Sequence, residues 1–382
     1  MRVKPGLEVM LENSRYIDKK IGLVTNHTGV DSGLEQNIDL MLRQGYKITA
    51  LFSPEHGLFG DYPDGEYVES SVYPGTGIPI YSLFGDTQKP TGDMLQDVDV
   101  LIFDIQDIGS RYYTYMSTML LSMEAASQHG VQFVVLDRPN PIGGTDVEGN
   151  VTKPSWISPV AYAHIAIRHG MTPGEIARFV AAQEGLPEPQ LVPMEHWSRE
   201  MYFPDTELPW VPTSPSAPSI EMALLYPGTC LLEGTNVSEG RGTSVPFQVL
   251  GAPWIDGAEL SKALNDMGLP GVKARPAYFR PSFSKWTDQV CRGIQVHIFE
   301  PEKVRPVELG VRLLFALRDL YPNHFRLTPP GADRKRFLDL LCGGDDLSTA
   351  LENDHSPDAL LEKWAQEAEE FRKQRQDYLL YQ

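Results

Sequence analysis

Short apolar runs alternate with stretches of helical periodicity along the first half of the chain. Ile21 to Thr25 predicts a strand, and the apolar positions between Leu34 and Gln44 predict an amphipathic helix. Ile48 to Phe52, Ile78 to Phe84 and Val98 to Asp104 predict further strands. A helix is expected from about Tyr113 to His129, and Val131 to Asp137 reads as the clearest strand of all. Strands alternating with helices imply an α/β fold whose sheet is mostly parallel and doubly wound. In such a sheet the carboxyl ends of the strands share one edge. The polar loops after Thr25, Phe52, Asp104 and Asp137 should therefore converge.

Thr172-Pro-Gly-Glu175 predicts a capped helix running to about Gln183. The proline-rich stretch from Pro204 to Pro218 reads as an extended connector, and a domain boundary just after it divides the chain into residues 1–222 and 223–382. The second part is expected to hold strands at Val272 to Phe279 and Gly293 to Phe299, with helices near Gly257 to Asp266 and Pro306 to Leu320. Ser356 and Pro357 mark the start of a final helix, whose Leu361, Trp364, Ala368, Phe371 and Tyr378 form a packing stripe.

A length of 382 residues favours two domains over one core. The formal net charge of −18 opposes binding to nucleic acid or to anionic membranes, and it leaves a small anionic substrate open if cleft arginines reverse the local potential. Cys230, Cys291 and Cys342 are too scattered for a zinc set or a disulfide framework, so buried thiols are expected. No secretory h-region or membrane-length apolar run is present, which makes a cytoplasmic location the expectation, although a chain whose signal peptide had been removed would read the same.

The candidate chemistry begins with Leu51-Phe-Ser-Pro-Glu-His-Gly-Leu-Phe-Gly60, where a strand runs into a loop holding an acid, a histidine and two glycines. Glu55 is the first choice for a catalytic carboxyl. The neighbouring strand ends supply Asn26, His27, His56, Asp104, Gln106 and Asp107, and Arg111, Tyr112 and Tyr113 follow at a helix start. Carboxylates, amides, aromatic faces and a guanidinium together suit an acidic carbohydrate. Glycoside hydrolysis commonly uses two carboxyls, about 5–5.5 Å apart for retention or 6.5–9.5 Å for inversion. Asp104, Asp107, Glu233 and Glu239 are the candidate partners of Glu55. The glycine-rich run Tyr226 to Thr243 adds Asn236 and Arg241, placed to close over the first domain's loops. Phosphate-cradling glycine motifs are missing and the His and Asp spacings match no metal motif, so no cofactor and no metal are expected.

Gly22 to Gly29, Ser53-Pro-Glu-His-Gly57, Tyr81-Ser-Leu-Phe-Gly85, Asp104 to Tyr113, Asp137-Arg-Pro-Asn-Pro141 and Tyr226 to Thr243 stand in order along the chain. This ordered set resembles the NamZ-type exo-β-N-acetylmuramidases from about Gly22 onward. The resemblance implies a Rossmann-like N-terminal domain, a smaller α/β C-terminal domain and an active cleft between them. It further implies release of N-acetylmuramic acid from the non-reducing end of peptidoglycan fragments or muropeptide disaccharides, a role in cell-wall recycling, and Glu55 as the suspected catalytic acid. Roles for Asp104, Asp107, Tyr112 and Glu239 rest on chemistry alone, with Asp104 slightly favoured as the second carboxyl. Arg111 or Arg241 would hold the lactyl carboxylate. One departure is Pro212-Thr-Ser-Pro-Ser-Ala-Pro218, where Ser216 and Ala217 replace the family's Asn-Met. The alternatives are a non-catalytic muropeptide-binding protein and a metal-dependent hydrolase built on His27, His56 and Asp104.

Overall fold

A computed structural model describes residues 1–332, 334–353 and 355–382. In the N-terminal part the strands are β1 (Lys20–Thr25), β2 (Lys47–Ser53), β3 (Ser71–Val72), β4 (Pro79–Ser82), β5 (Val100–Asp104), β6 (Gln132–Leu136), β7 (Glu148–Val151), β8 (Ala166–Arg168) and β9 (Gln190–Val192). Seven of them form one sheet in the order β3-β4-β2-β1-β5-β6-β9. All its pairings are parallel except that of the edge strand β3 with β4. The α/β, mostly parallel reading therefore holds. The short strand β9 extends the sheet beyond the expected set.

Alternation along the central strands explains the two covered faces. Leu101 and Phe103 of β5 join a core with the helices Tyr115–His129 and Pro173–Glu184. Val100 and Ile102 point the other way, into a core with the helices Gly6–Glu12 and Asn37–Arg43. Every residue of β5 is buried, as expected for a parallel strand covered on both sides. Register keeps the strand ends level. Val24 lies beside Phe52, Thr25 beside Asp104, and Ser53 beside Ser82.

The helix expected from Leu34 starts only at Asn37. Asp31 explains the delay: its carboxylate accepts from the backbone N–H of Gly33 and of Glu35, and Leu34 takes a left-handed conformation in the resulting turn. The helix Pro173–Glu184 has the anticipated capping box between Thr172 and Glu175. The proline-rich connector carries one short 3-10 turn, Phe203–Thr206.

The C-terminal part contains an antiparallel sheet in the order β10 (Val249–Ala252), β12 (Cys291–Ile298) and β11 (Val272–Phe279). The helices Ile220–Thr229 and Pro306–Leu320 cross so closely that a β-carbon on Gly228 would overlap the Pro306 carbonyl. The final helix, Pro357–Arg375, packs back onto the N-terminal part. Trp364, Ala368 and Phe371 are buried there, Leu361 is half-buried, and Glu367 accepts from the Val151 N–H at 3.1 Å. Tyr378 lies past that helix in a 3-10 turn, edge-on to Phe179. Farther on, the Tyr381 hydroxyl donates to Asp137 at 2.6 Å. One continuous hydrophobic core thus runs through both parts. Cys230, Cys291 and Cys342 are buried free thiols. Among the described residues no helix is long and apolar enough to cross a membrane.

Candidate active site

β2 ends at Ser53, and the chain then turns sharply through Pro54, Glu55 and His56. The turn is closed by the Gly57 N–H on the Pro54 carbonyl at 3.0 Å, and His56 itself takes a positive φ of 71°. Farther along, Gly60 at φ 74° lies so close to His27 that a β-carbon would overlap the imidazole. The loop therefore rests on the loop after β1, and Glu55 is left half-buried on the wall of a cleft of about 700 Å³. Both carboxylate oxygens of Glu55 are engaged. The Gly65 N–H donates to Oε1 at 3.0 Å and the Thr114 hydroxyl to Oε2 at 2.6 Å.

The helix start after β5 supplies one wall. Tyr112, Tyr113, Thr114 and Tyr115 all line the cleft. Tyr113 sits edge-on to Tyr115 and to Tyr226, and Tyr226 edge-on to Phe247, which builds a rigid aromatic surface. The phenol oxygens face inward: Tyr112 donates to the Pro227 carbonyl, Tyr113 pairs with Thr213 at 2.6 Å, and Tyr115 donates to the Thr213 carbonyl. Burial raises the pKa of each of these three phenols.

The opposite wall comes from the glycine-rich run and the loop between β11 and β12. Arg241 donates through Nε and Nη2 to Glu233, at 3.1 and 2.7 Å, and through Nη1 to Asp64. Glu239 accepts from Lys285 at 2.9 Å and lies 3.7 Å from Arg241. Lys285 also donates to the carbonyls of Leu232, Glu233 and Val237, so its ammonium is saturated. Burial pushes the Glu233 carboxyl upward, opposed by the Arg241 charge. The carboxylates of Glu55, Asp64, Glu233 and Glu239 outnumber the cations Arg241 and Lys285 on the cleft lining.

Several expected site residues lie elsewhere. Asp104, favoured as the second carboxyl, is fully buried beneath the strand ends, accepting from Arg138 at 2.6 Å and Asn37 at 2.7 Å. Asp107 is also buried, accepts from the Gly109 N–H, and lies 3.6 Å from His169. Arg111 is in the core, where it donates to the carbonyls of Asn150, Ile165 and Leu341. Burial draws its pKa down to about 10, and its guanidinium does not line the cleft. Asn26 accepts from Thr28, and Gln106 donates to the carbonyls of Asp107 and Pro139. Asn236 bridges the His324 carbonyl and the Arg326 N–H. His27 Nε2 meets the Pro212 carbonyl at 2.7 Å, and burial lowers its pKa.

Of the expected set the cleft gathers Glu55, His56, Tyr112, Tyr113, Glu233, Glu239 and Arg241. His56 meets the Tyr62 carbonyl through Nδ1 at 2.8 Å, and its Nε2 lies 3.7 Å from Asp64. His27, His56 and Asp104 are each engaged by other partners: the Pro212 carbonyl, the Tyr62 carbonyl, and Arg138 with Asn37. Among the described residues no group of three His, Cys, Asp or Glu is arranged to hold a metal ion. Asp64, Thr114 and Lys285 were not anticipated. Thr114 directly follows the candidate Tyr113, whereas Tyr62-Pro-Asp-Gly65 reads as an ordinary turn.

Residues 21–221 match the family described as exo-β-N-acetylmuramidase NamZ, N-terminal, and residues 224–381 match its C-terminal counterpart. The chain belongs to the NamZ family. A relative named peptidoglycan β-N-acetylmuramidase NamZ, from Bacillus subtilis (strain 168), is 41% identical over 384 residues, covering 100% of this chain and 92% of the relative. Two crystal structures of DUF1343 family proteins from Bacteroides fragilis NCTC 9343 share the architecture. One has a TM-score of 0.91 at 36% identity and the other 0.77 at 31%, each covering 100% of this chain and 99% of its own. In this NamZ chain the cleft draws its lining from both matched regions, with Glu55 on one side and Glu233, Glu239 and Arg241 on the other.

Proposed function

We propose that this protein is an exo-β-N-acetylmuramidase that frees N-acetylmuramic acid from the non-reducing end of peptidoglycan fragments or muropeptide disaccharides. The observation that carries this reading is the Glu55 carboxyl, held by Thr114 and Gly65 on the wall of a cleft sized for a small saccharide. Glu55 is the general acid, delivering a proton to the glycosidic oxygen as the bond to the anomeric carbon breaks. Family membership and the full-length likeness to the Bacillus relative support the muramidase activity.

The second carboxyl is Glu239 in this reading, because it lines the cleft whereas Asp104 and Asp107 lie beneath the strand ends. It attacks the anomeric carbon as nucleophile or takes a proton from the water that does, so that the aglycone leaves with the proton from Glu55. Arg241 takes the lactyl carboxylate, the group that distinguishes N-acetylmuramic acid from N-acetylglucosamine. The tyrosine surface provides faces for the sugar ring.

Glu55→Gln tests the reading. Turnover of a chromogenic N-acetylmuraminide is expected to fall about 10³-fold, with an unchanged unfolding midpoint. Turnover near the wild-type rate would remove Glu55 from the mechanism. Mass spectrometry of products from a defined muramic–glucosamine disaccharide should show free N-acetylmuramic acid. Binding without any cleavage would favour a non-catalytic saccharide receptor instead.

A further inference from the structure

Arg241 is already bound to a carboxylate from across the cleft. Asp64 lies in the loop that follows Glu55, in the N-terminal part, yet its Oδ2 pairs with Arg241 Nη1 and accepts from the Ser216 hydroxyl at 3.2 Å. The other acids around Arg241 are fixed more deeply. The Glu233 and Glu239 side chains are 15% and 2% exposed, and Glu239 is also tied to Lys285. The Asp64 side chain is 28% exposed and sits between Pro63 and Gly65, the glycine at φ 72° with open space around it. Lys285 has no donor left, so Arg241 is the cation from which a ligand carboxylate can draw a hydrogen bond. Three of the five Arg241 N–H donors are engaged, by Glu233 through Nε and Nη2 and by Asp64 through Nη1. A ligand carboxylate that takes the Nη1 side competes with Asp64, the partner in reach of solvent.

We propose that Asp64 is a specificity-determining residue: an internal stand-in for the substrate carboxylate, which competes with it for the Nη1 side of Arg241. This rests on the muramidase reading for the identity of the substrate and on the ion pair for the competition. In the resting cleft the guanidinium is neutralised and the lining carries excess negative charge. A sugar bearing a lactyl carboxylate exchanges one ion pair for another, releasing Asp64 toward solvent. A sugar without that group brings no anionic charge to Arg241 and leaves Asp64 in place. Affinity for the acidic sugar is therefore reduced by the fraction of molecules in which Asp64 holds the site, while affinity for the neutral sugar is not. Ser216 stands where the family's proline run has a different residue, and its hydroxyl steadies the stand-in.

The test compares wild type with Asp64→Ala and Asp64→Asn in steady-state hydrolysis of chromogenic N-acetylmuraminide and N-acetylglucosaminide. The same proteins are titrated calorimetrically with N-acetylmuramic acid and N-acetylglucosamine. Both variants are expected to lower KM for the muraminide about five-fold and to tighten N-acetylmuramic acid binding to match, with the glucosamine values unmoved. A muraminide KM that rises or stays level, or a change shared by both sugars, would overturn the proposal and leave Asp64 as a loop brace. If wild type turned over neither substrate, the muramidase reading would fall, and the calorimetric difference between the two sugars would still decide the competition.

Discussion

The Thr114 hydroxyl donates to Glu55 Oε2 at 2.6 Å, joining the loop after β2 to the start of the helix Tyr115–His129. This bond fixes which way the carboxyl faces. Thr114→Val should remove about 1 kcal/mol of orientation, a roughly five-fold loss in kcat, with KM nearly constant. Thr114→Ser should restore most of it. Steady-state kinetics on a chromogenic muraminide gives the answer, and a KM-only change would assign Thr114 to binding.

Arg111 is a structural cation in this fold. Arg111→Met leaves three buried carbonyls without their donor, one of them on Leu341 in the C-terminal part. Denaturant unfolding should show a loss of about 3 kcal/mol or more. The preference for muraminide over glucosaminide should be unchanged in the folded fraction. A selective rise in muraminide KM would return Arg111 to the carboxylate site.

Gly60 and Gly45 both have positive φ, yet only Gly60 faces a ring. Gly45→Ala should cost about 1 kcal/mol in stability from its backbone alone and leave kcat/KM intact. Gly60→Ala must also push His27 or the Glu55 loop aside, and kcat/KM should fall by roughly ten-fold or more. Equal effects of the two substitutions would mean the loop tolerates the shift.

Asp137 gives a pH dependence with a defined sign. Burial raises its pKa from 3.8 to about 6, while donation from Tyr381 pulls it down. Because the folded value is the higher one, its contribution is fully present below about pH 4 and is lost as pH rises toward 6. The Tyr381 hydroxyl offsets that loss by favouring the ionised form. Tyr381→Phe should therefore destabilise the protein by about 1.5–3 kcal/mol at pH 8, and by clearly less at pH 4. Urea unfolding at the two pH values checks this, and a penalty larger at pH 4 would reverse the sign.

The sequence carried the parallel sheet plainly. Continuous apolar runs such as Val100 to Phe103 announce strands buried on both faces. Helices begun by a proline or an N-cap, such as Pro306–Leu320 and Gly257–Asp266, fall where their signals put them. The cleft was legible only in part. Glu55, Asp104 and Asp107 all stand at or just past strand ends and look equivalent along the chain. Their fates diverge because Arg138, the partner of Asp104, arrives from the end of β6, and strand order rather than local pattern brings it there. Arg111 misleads for a related reason: its aromatic neighbours reach the cleft while its own side chain turns toward the carbonyls of Ile165 and Leu341. Lys285 and Asp64 belong to loops whose partners are distant in sequence, and no periodicity marks such pairings.

The return of the final helix onto β7 shapes how this protein is made. Residues 1–222 leave the ribosome well before Trp364, Ala368 and Phe371 exist to cover their side of the core. During that interval the nascent chain carries apolar surface whose cover is still to be translated. Chaperone demand should peak there, and hydrolytic competence should arrive as one of the last events of biogenesis.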